Sequence, residues 1–325
     1  MPDSIGVRDL EHFIGINSNL EVLEDCLDRF AHVYFALQQR KKSLNFGEIL
    51  TLDGLMAIVP EVTGETRNFL GASDVPDAEF RLLTVKDAVK TRGHEALLYL
   101  ISGGMVITLL RGSGEMLQDI IGKNQILDRT LPTSTVLLFY GISFPIAVGG
   151  RVLYEYYKGG LSSVISSRYN HNEGRIGISA NDTVSVVADI SHEFTHSIQD
   201  LHNVQIGRKY PIAEGHARGV QREISGIFAE RSDNPAYVYK GIEQTAKELN
   251  DAYLFICTKN HRSPKASLQK LKIPRFRSRL PQFMTGPFEA HHYSIGVAAM
   301  CIAEAKHGTR VYRDVINNDY SFLRA

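Results

Sequence analysis

The chain has 325 residues, of which 43% are hydrophobic and 22% are charged, as in ordinary soluble globular proteins. Lysine plus arginine and aspartate plus glutamate each number 36, so net charge gives no reason to expect a nucleic-acid partner. Three widely spaced cysteines, without a C-x-x-C pair, argue against a cysteine zinc site and against a disulfide framework. The length allows two domains or one large one.

The N-terminal region, residues 1–149, predicts mixed α and β structure and no recognisable chemistry. Residues 18–42 carry leucines and aromatics at helical spacing, and the string SNLE suggests Ser18 as the N-cap. Residues 43–92 contain turn signals at TLDG, VTGE and DVPD, followed by a predicted strand at EFRLLTV. We assign no function to this region.

Two apolar stretches, residues 96–110 and 130–150, contain no charged residue. The second is long enough to cross a bilayer, but Pro132, Pro145 and several hydroxyl groups favour a buried core. A membrane hairpin that anchors the protein is the alternative. The first residues of the chain include acids and no apolar run, so they predict no signal peptide and a cytoplasmic location.

The second half of the chain, residues 150–325, predicts a separate and mainly helical domain. RVLYEYYKGG predicts a helix, and GRIGIS, at 174–179, predicts a short strand. The string NDTVSVVADISHEFTHSIQDLHN predicts a long helix with its N-cap at Asn181 or Asp182. The expected fold class is therefore α+β, mainly α.

The string HEFTH within this helix has the spacing of a zinc site. Residues four apart share a helix face, so His192 and His196 can direct their ring nitrogens at one point. Zinc binds such nitrogens at about 2.0–2.1 Å and prefers four ligands. Glu193 lies about 100° further round the helix, beside the metal, where a carboxylate can act as general base toward water. The alternative is an exposed polar face of an ordinary helix.

A catalytic zinc site also needs a third protein ligand and an open position. The string PIAEGHARGVQREIS predicts a second helix starting at its proline, with Glu214 in its first turn. Glu223 is the main competitor, because REISGIF also has a helical pattern. His202 lies on a different helix face from the other two histidines, and His216 is expected to point away from Glu214.

HEFTH followed by AEGHA resembles the signature of the gluzincin metallopeptidases, which is H-E-x-x-H and then a glutamate often found within E-G-x-A. The thermolysin family and the zinc aminopeptidases belong to this group. The longer string HEFTHSIQD also looks like a set of uncharacterised microbial proteins whose helix reads much like HELTHALQD. The resemblance covers roughly residues 150–320. It implies a thermolysin-like catalytic domain, zinc held by His192, His196 and Glu214, and Glu193 as general base.

The expected activity is zinc-dependent hydrolysis of peptide or protein substrates by metal-activated water. Tyr293 first and His292 second are the candidate donors to the oxyanion, although both side chains equally suit core packing or capping of the apolar helix that follows. Tyr293 with Gly296 is similar to a Y-x-x-G pattern of the same microbial proteins. No G-x-M-E-N segment of the aminopeptidases is present, which favours an endopeptidase.

Two supporting predictions concern the surroundings of the metal. Asp200, four residues after His196, is a candidate outer-shell acceptor for that histidine, or else a solvated carboxylate. Residues Ile176 to Ser179 are candidates for an edge strand that binds extended peptide by main-chain pairing. The alternatives to the peptidase are a zinc-stabilised scaffold protein without turnover and a membrane-anchored metallopeptidase.

Overall fold

The part of the chain that the structure describes is mainly helical with a small three-stranded sheet, which agrees with the predicted α+β, mainly α class. The computed structural model describes residues 7–83, 87, 167–179, 181–204, 211–269 and 282–323, with the backbone alone at 269 and 282–292. The two apolar stretches and the helix predicted at RVLYEYYKGG lie outside these residues. Within the described part of the chain, no helix combines the length and the hydropathy needed to cross a bilayer.

Helices α1 (Val7–Gly15) and α2 (Asn17–Gln39) follow one another almost without interruption. Ile16 is the N-cap of α2 and makes no side-chain capping hydrogen bond. The prediction of Ser18 as N-cap is therefore wrong. Because one residue alone separates the two helices, Ser18 already lies in the first turn of α2.

Helix α3 (Leu52–Leu70) occupies a region in which the sequence suggested turns. The side chain of Thr51 accepts a hydrogen bond from the Gly54 N–H and so caps the helix within TLDG. The string VTGE continues the same helix, so both turn predictions are wrong. Helix α3 ends at Gly71, whose φ of 68° is the left-handed conformation that glycine adopts readily at a helix end.

The sheet contains β1 (Glu79–Leu83), β2 (Arg168–Asn170) and β3 (Arg175–Ser179), in the order β1-β3-β2. Strands β2 and β3 are antiparallel, with Tyr169 opposite Ile176. The strands predicted from EFRLLTV and GRIGIS are confirmed. The assignment of the latter as an edge strand is wrong, because β3 is the central strand and β2 lies at an edge of this described sheet.

Two short 3₁₀ helices are described, Lys41–Ser43 and Ser321–Leu323. The further α-helices described are α4 (Thr183–Leu201), α5 (Pro211–Ser232), α6 (Pro235–Lys259), α7 (Ala266–Gln269), α8 (Gln282–His307) and α9 (Val311–Ile316). The side chain of Asp182 caps α4 by accepting from the Ser185 N–H at 2.8 Å, as predicted. Helix α5 begins at its proline, also as predicted. The segment around Tyr293 was expected to precede a helix, but α8 already includes it.

The described residues between 7 and 82 and between 167 and 323 belong to one compact unit. The predicted boundary after residue 149 lies outside the described residues. Helices of the N-terminal region share the hydrophobic core with α4, α5, α6 and α8. The ring of Tyr34 on α2, for example, stacks on Tyr239 of α6 with centroids 5.9 Å apart.

Candidate metal and catalytic site

Three side chains from helices α4 and α5 converge on one point: His192, His196 and Glu214. The two histidine Nε2 atoms are 3.2 Å apart, and the two rings are perpendicular. The Glu214 carboxylate places Oε2 at 3.6 Å from the His192 Nε2 and Oε1 at 3.6 Å from the His196 Nε2. The residues that sequence spacing and resemblance suggested as ligands therefore lie together.

These separations fit a single metal ion. A tetrahedral site with bonds of about 2.0–2.1 Å has its ligand atoms about 3.3 Å apart. The distances of 3.2 and 3.6 Å lie within about 0.3 Å of that edge length, although each histidine is 3.6 Å from a different oxygen of the Glu214 carboxylate. Zinc binds to two imidazole nitrogens and one carboxylate, and other divalent transition metals accept the same donors. The cluster could therefore supply three protein ligands to one ion.

The site is buried, although it consists of titratable side chains. His192, Glu193 and His196 are 8%, 9% and 6% exposed, and nearly every residue of α4 from 184 to 199 is buried. The alternative of an exposed polar helix face is therefore wrong. Buried ionisable groups are costly unless they are paired or bind an ion, and clusters of them are typical of functional sites.

The charges of the three candidate ligands are strongly coupled. Burial lowers the pKa of His192 to about 3, and the nearby Arg218 acts in the same direction. Burial also opposes the charge of His196, but Glu214 outweighs it and raises the pKa of His196 to about 9. Burial disfavours the Glu214 carboxylate, but the two histidines outweigh that effect and hold its pKa well below the ordinary value. The cluster therefore favours a carboxylate and at least one neutral imidazole, the forms that bind metals.

Glu193 is held beside the cluster by the edge strand β2. Its Oε2 accepts a hydrogen bond of 2.6 Å from the backbone N–H of Tyr169. Burial raises the pKa of Glu193 to about 7; His196 lowers it, whereas Glu214 and Asp189 raise it further. A carboxylate that is fixed in place and has a pKa near neutrality is suited to general-base catalysis.

The hydrogen-bond partner of His196 Nδ1 is Gln199 rather than Asp200, so the prediction of Asp200 as its acceptor is wrong. The Nδ1 of His196 lies 2.8 Å from Gln199 Oε1. Asp200 instead accepts a hydrogen bond of 2.7 Å from the hydroxyl of Tyr169 and pairs with His171, also at 2.7 Å. Residues at i+3 share a helix face just as residues at i+4 do, so the spacing was a signal for Gln199 as well.

The competing third ligands lie elsewhere. Glu223 pairs with the guanidinium of Arg222 at 3.3 Å and is not part of the described His–His–Glu cluster. His202 is the C-cap residue of α4 and is likewise outside the cluster. His216 is fully buried, hydrogen-bonds to Gln199 and the Tyr312 carbonyl, and is outside the described cluster.

Helix α8, which carries Tyr293, approaches the start of α5 backbone to backbone. A Cβ on Gly296 would lie 1.7 Å from the Pro211 carbonyl oxygen, and one on Gly215 would lie 2.1 Å from the Gly296 oxygen. Tyr293 is half-buried and lies one turn before Gly296 on α8, so it is near this crossing. The side chain of His292 lies outside the described atoms. Both residues therefore remain predictions as oxyanion donors.

The chain matches no family model, and neither a curated protein nor a solved structure is similar to it at the level required of a match. Its function must therefore be inferred from its own residues and their geometry.

Proposed function

We propose that the chain is a zinc-dependent metallopeptidase with a thermolysin-like catalytic domain, which hydrolyses peptide or protein substrates. The observation that carries this proposal is the convergence of His192, His196 and Glu214 at distances that suit one metal ion. The buried Glu193 carboxylate is electrostatically coupled to His196 and Glu214. The resemblance of HEFTH and AEGHA to the gluzincin signature supports it. The absence of a G-x-M-E-N segment favours endopeptidase action.

The two histidines and Glu214 would hold the ion. Zinc at such a site polarises the scissile carbonyl and lowers the pKa of a water molecule. Glu193 would accept the proton of the attacking water and later transfer it to the leaving amine. Because the Tyr169 N–H holds the Oε2 atom of Glu193, the Oε1 atom is the candidate for proton transfer.

Two further features of the site suit this chemistry. Arg218 lies one turn after Glu214 on α5 and helps to keep His192 neutral, as a metal ligand must be. The negative charge on the substrate carbonyl oxygen needs a hydrogen-bond donor, and we propose Tyr293 first and His292 second for this role. Gly296 brings the helix of Tyr293 against the first turn of α5, which contains Glu214.

Replacement of the general base tests the proposal. Glu193→Gln should retain zinc, measured by elemental analysis, and should lose peptide hydrolysis by about 10²- to 10⁴-fold, because the amide cannot accept the proton. Glu230→Gln, at an exposed position of α5, is the control and should keep both properties. Undiminished hydrolysis by Glu193→Gln would reject the mechanism. Zinc binding by the wild type without any hydrolysis would support the scaffold alternative.

A further inference from the structure

A chain of buried hydrogen bonds leads from one candidate ligand to the far side of α5. His196 Nδ1 lies 2.8 Å from Gln199 Oε1, and Gln199 Nε2 lies 2.9 Å from the Ala213 carbonyl oxygen. The same Gln199 Nε2 lies 2.8 Å from His216 Nδ1. The chain ends where His216 Nε2 meets the Tyr312 carbonyl oxygen at 2.9 Å. Gln199 and His216 are both fully buried.

The direction of every bond in this chain follows from the two backbone carbonyls, because a carbonyl oxygen can only accept. The Ala213 carbonyl requires the amide nitrogen of Gln199 to face it, since the flipped amide would bring two oxygens within 2.9 Å. Gln199 Oε1 therefore faces His196, whose Nδ1 must carry the hydrogen. The Tyr312 carbonyl likewise requires a hydrogen on His216 Nε2. His216 Nδ1 is then free to accept the second N–H of Gln199.

We propose that Gln199 and His216 are positioning residues that fix His196 in the Nδ1–H tautomer, so that the lone pair of Nε2 points at the metal position. This inference rests on the proposed function. The other tautomer would place a hydrogen on Nε2, where a ligand needs a lone pair, and would leave Gln199 Oε1 without a donor. Outer-shell partners of this kind typically change metal affinity by 10- to 100-fold.

Gln199 also connects the two helices that supply the ligands. It holds the ring of His196 on its own helix and the carbonyl of Ala213, the residue before Glu214, on α5. His192 Nδ1, by contrast, is buried and has no hydrogen-bond partner among the described residues. Among the described residues, Gln199 therefore makes the hydrogen bond that orients this histidine pair on the side away from Glu214.

The first test is zinc affinity, measured by competition with a chromophoric chelator. Gln199→Leu should lower the affinity for zinc by about 10- to 100-fold. Asp200→Asn is the matched control on the same helix, because Asp200 bonds to Tyr169 and His171 and has no bond to His196. Its zinc affinity should stay within about threefold of the wild type, well below the 10-fold effect of an outer-shell partner. An equal loss in both variants, or no loss in Gln199→Leu, would overturn the proposal.

The second test uses His216, which is not one of the three clustered ligands. His216→Phe keeps an aromatic ring but leaves the Gln199 N–H and the Tyr312 carbonyl unpaired. Its zinc affinity should fall by about 10-fold or more. His216→Gln offers one acceptor and one donor again and should recover most of that affinity. If both variants melt at lower temperature but bind zinc like the wild type, His216 is merely structural and the proposal fails.

The third test reads the tautomer directly, by ¹⁵N NMR of histidine-labelled protein. His216 should be neutral with its hydrogen on Nε2 in the zinc-free chain, and His196 should carry its hydrogen on Nδ1 in the zinc-loaded chain. The opposite tautomer at either residue would overturn the inference while leaving zinc binding intact. A wild-type chain that binds no zinc would instead reject the proposed function, and the positioning role with it.

Discussion

Glu214 and Glu223 show, at the scale of single residues, how one side-chain type serves two purposes on one helix. They are nine positions apart on α5, and at about 100° per residue this separation places them on opposite faces. Glu214 faces the histidines, whereas Glu223 pairs with the buried Arg222. The helical pattern alone left both open as the third ligand, but their spacing means that only one of them can point at the histidines.

This difference predicts the effect of removing each carboxylate. Glu214→Ala should lose zinc affinity by more than the 10- to 100-fold that removal of an outer-shell partner causes, because one of three protein ligands disappears. Glu223→Ala should bind zinc like the wild type, although it removes an ion pair from the core. Zinc content after dialysis, with circular dichroism to verify the fold, is the measurement. If Glu214→Ala retained zinc and Glu223→Ala lost it, Glu223 rather than Glu214 would be the third ligand.

At the scale of elements, the crossing of α5 and α8 constrains where the Glu214 carboxylate lies. The two helices touch at Gly215 and Gly296, where no space remains for a methyl group. Gly215 is the neighbour of Glu214, so the close approach sets the position of the carboxylate relative to α4. Glycine is needed at both positions because a Cβ would lie against the backbone of the other helix.

An alanine scan of the glycines on α5 tests this. Gly215→Ala should destabilise the protein by about 1–3 kcal/mol or more, because its Cβ would lie 2.1 Å from the Gly296 oxygen and the helices must separate. It should also weaken zinc binding, since the adjacent Glu214 moves. Gly226→Ala is the control, because a Cβ there meets no atom within 4 Å. It should stabilise the helix by about 0.5–1 kcal/mol.

Thermal and denaturant unfolding measure the difference in stability between Gly215→Ala and Gly226→Ala. Equal stability of Gly215→Ala and Gly226→Ala would show that the helices do not touch as described.

At the scale of the whole molecule, helices from the first 82 residues complete the core around the site helices. The guanidinium of Arg222 lies 5.1 Å from the ring centroid of Phe30 on α2. The hydroxyl of Tyr239 donates to Gln38 at 2.6 Å. Leu23 on α2 is fully buried within the same hydrophobic cluster. The described part of the second half of the chain therefore shares its core with helices of the N-terminal region, and we expect it not to fold without them.

Expression of residues 150–325 alone checks this conclusion. The fragment would expose the apolar surfaces that α1, α2 and α3 cover, so we expect it to aggregate or to unfold without a cooperative transition. The full chain is the control. A fragment that unfolds cooperatively and binds zinc as tightly as the full chain would instead support the predicted domain boundary after residue 149.

The sequence by itself determined most of the local elements and, within the candidate site, the facing pair of histidines. The cap at Asp182, the start of α5 at Pro211 and the strand GRIGIS are visible because caps, prolines and alternation act within a few residues. The facing pair His192 and His196 follows from helical spacing in the same way. Short-range signals failed at α3, where a capped helix contains residues that also favour turns.

Only the tertiary structure decided which distant groups meet. It placed Glu214 rather than Glu223 against the histidines, brought the Tyr169 N–H to Glu193, and made β3 the central strand of the described sheet. It also selected Gln199 over Asp200 as the partner of His196. Periodicity identifies the residues on each face of a helix or strand, but the group opposite that face depends on packing between segments far apart in the chain.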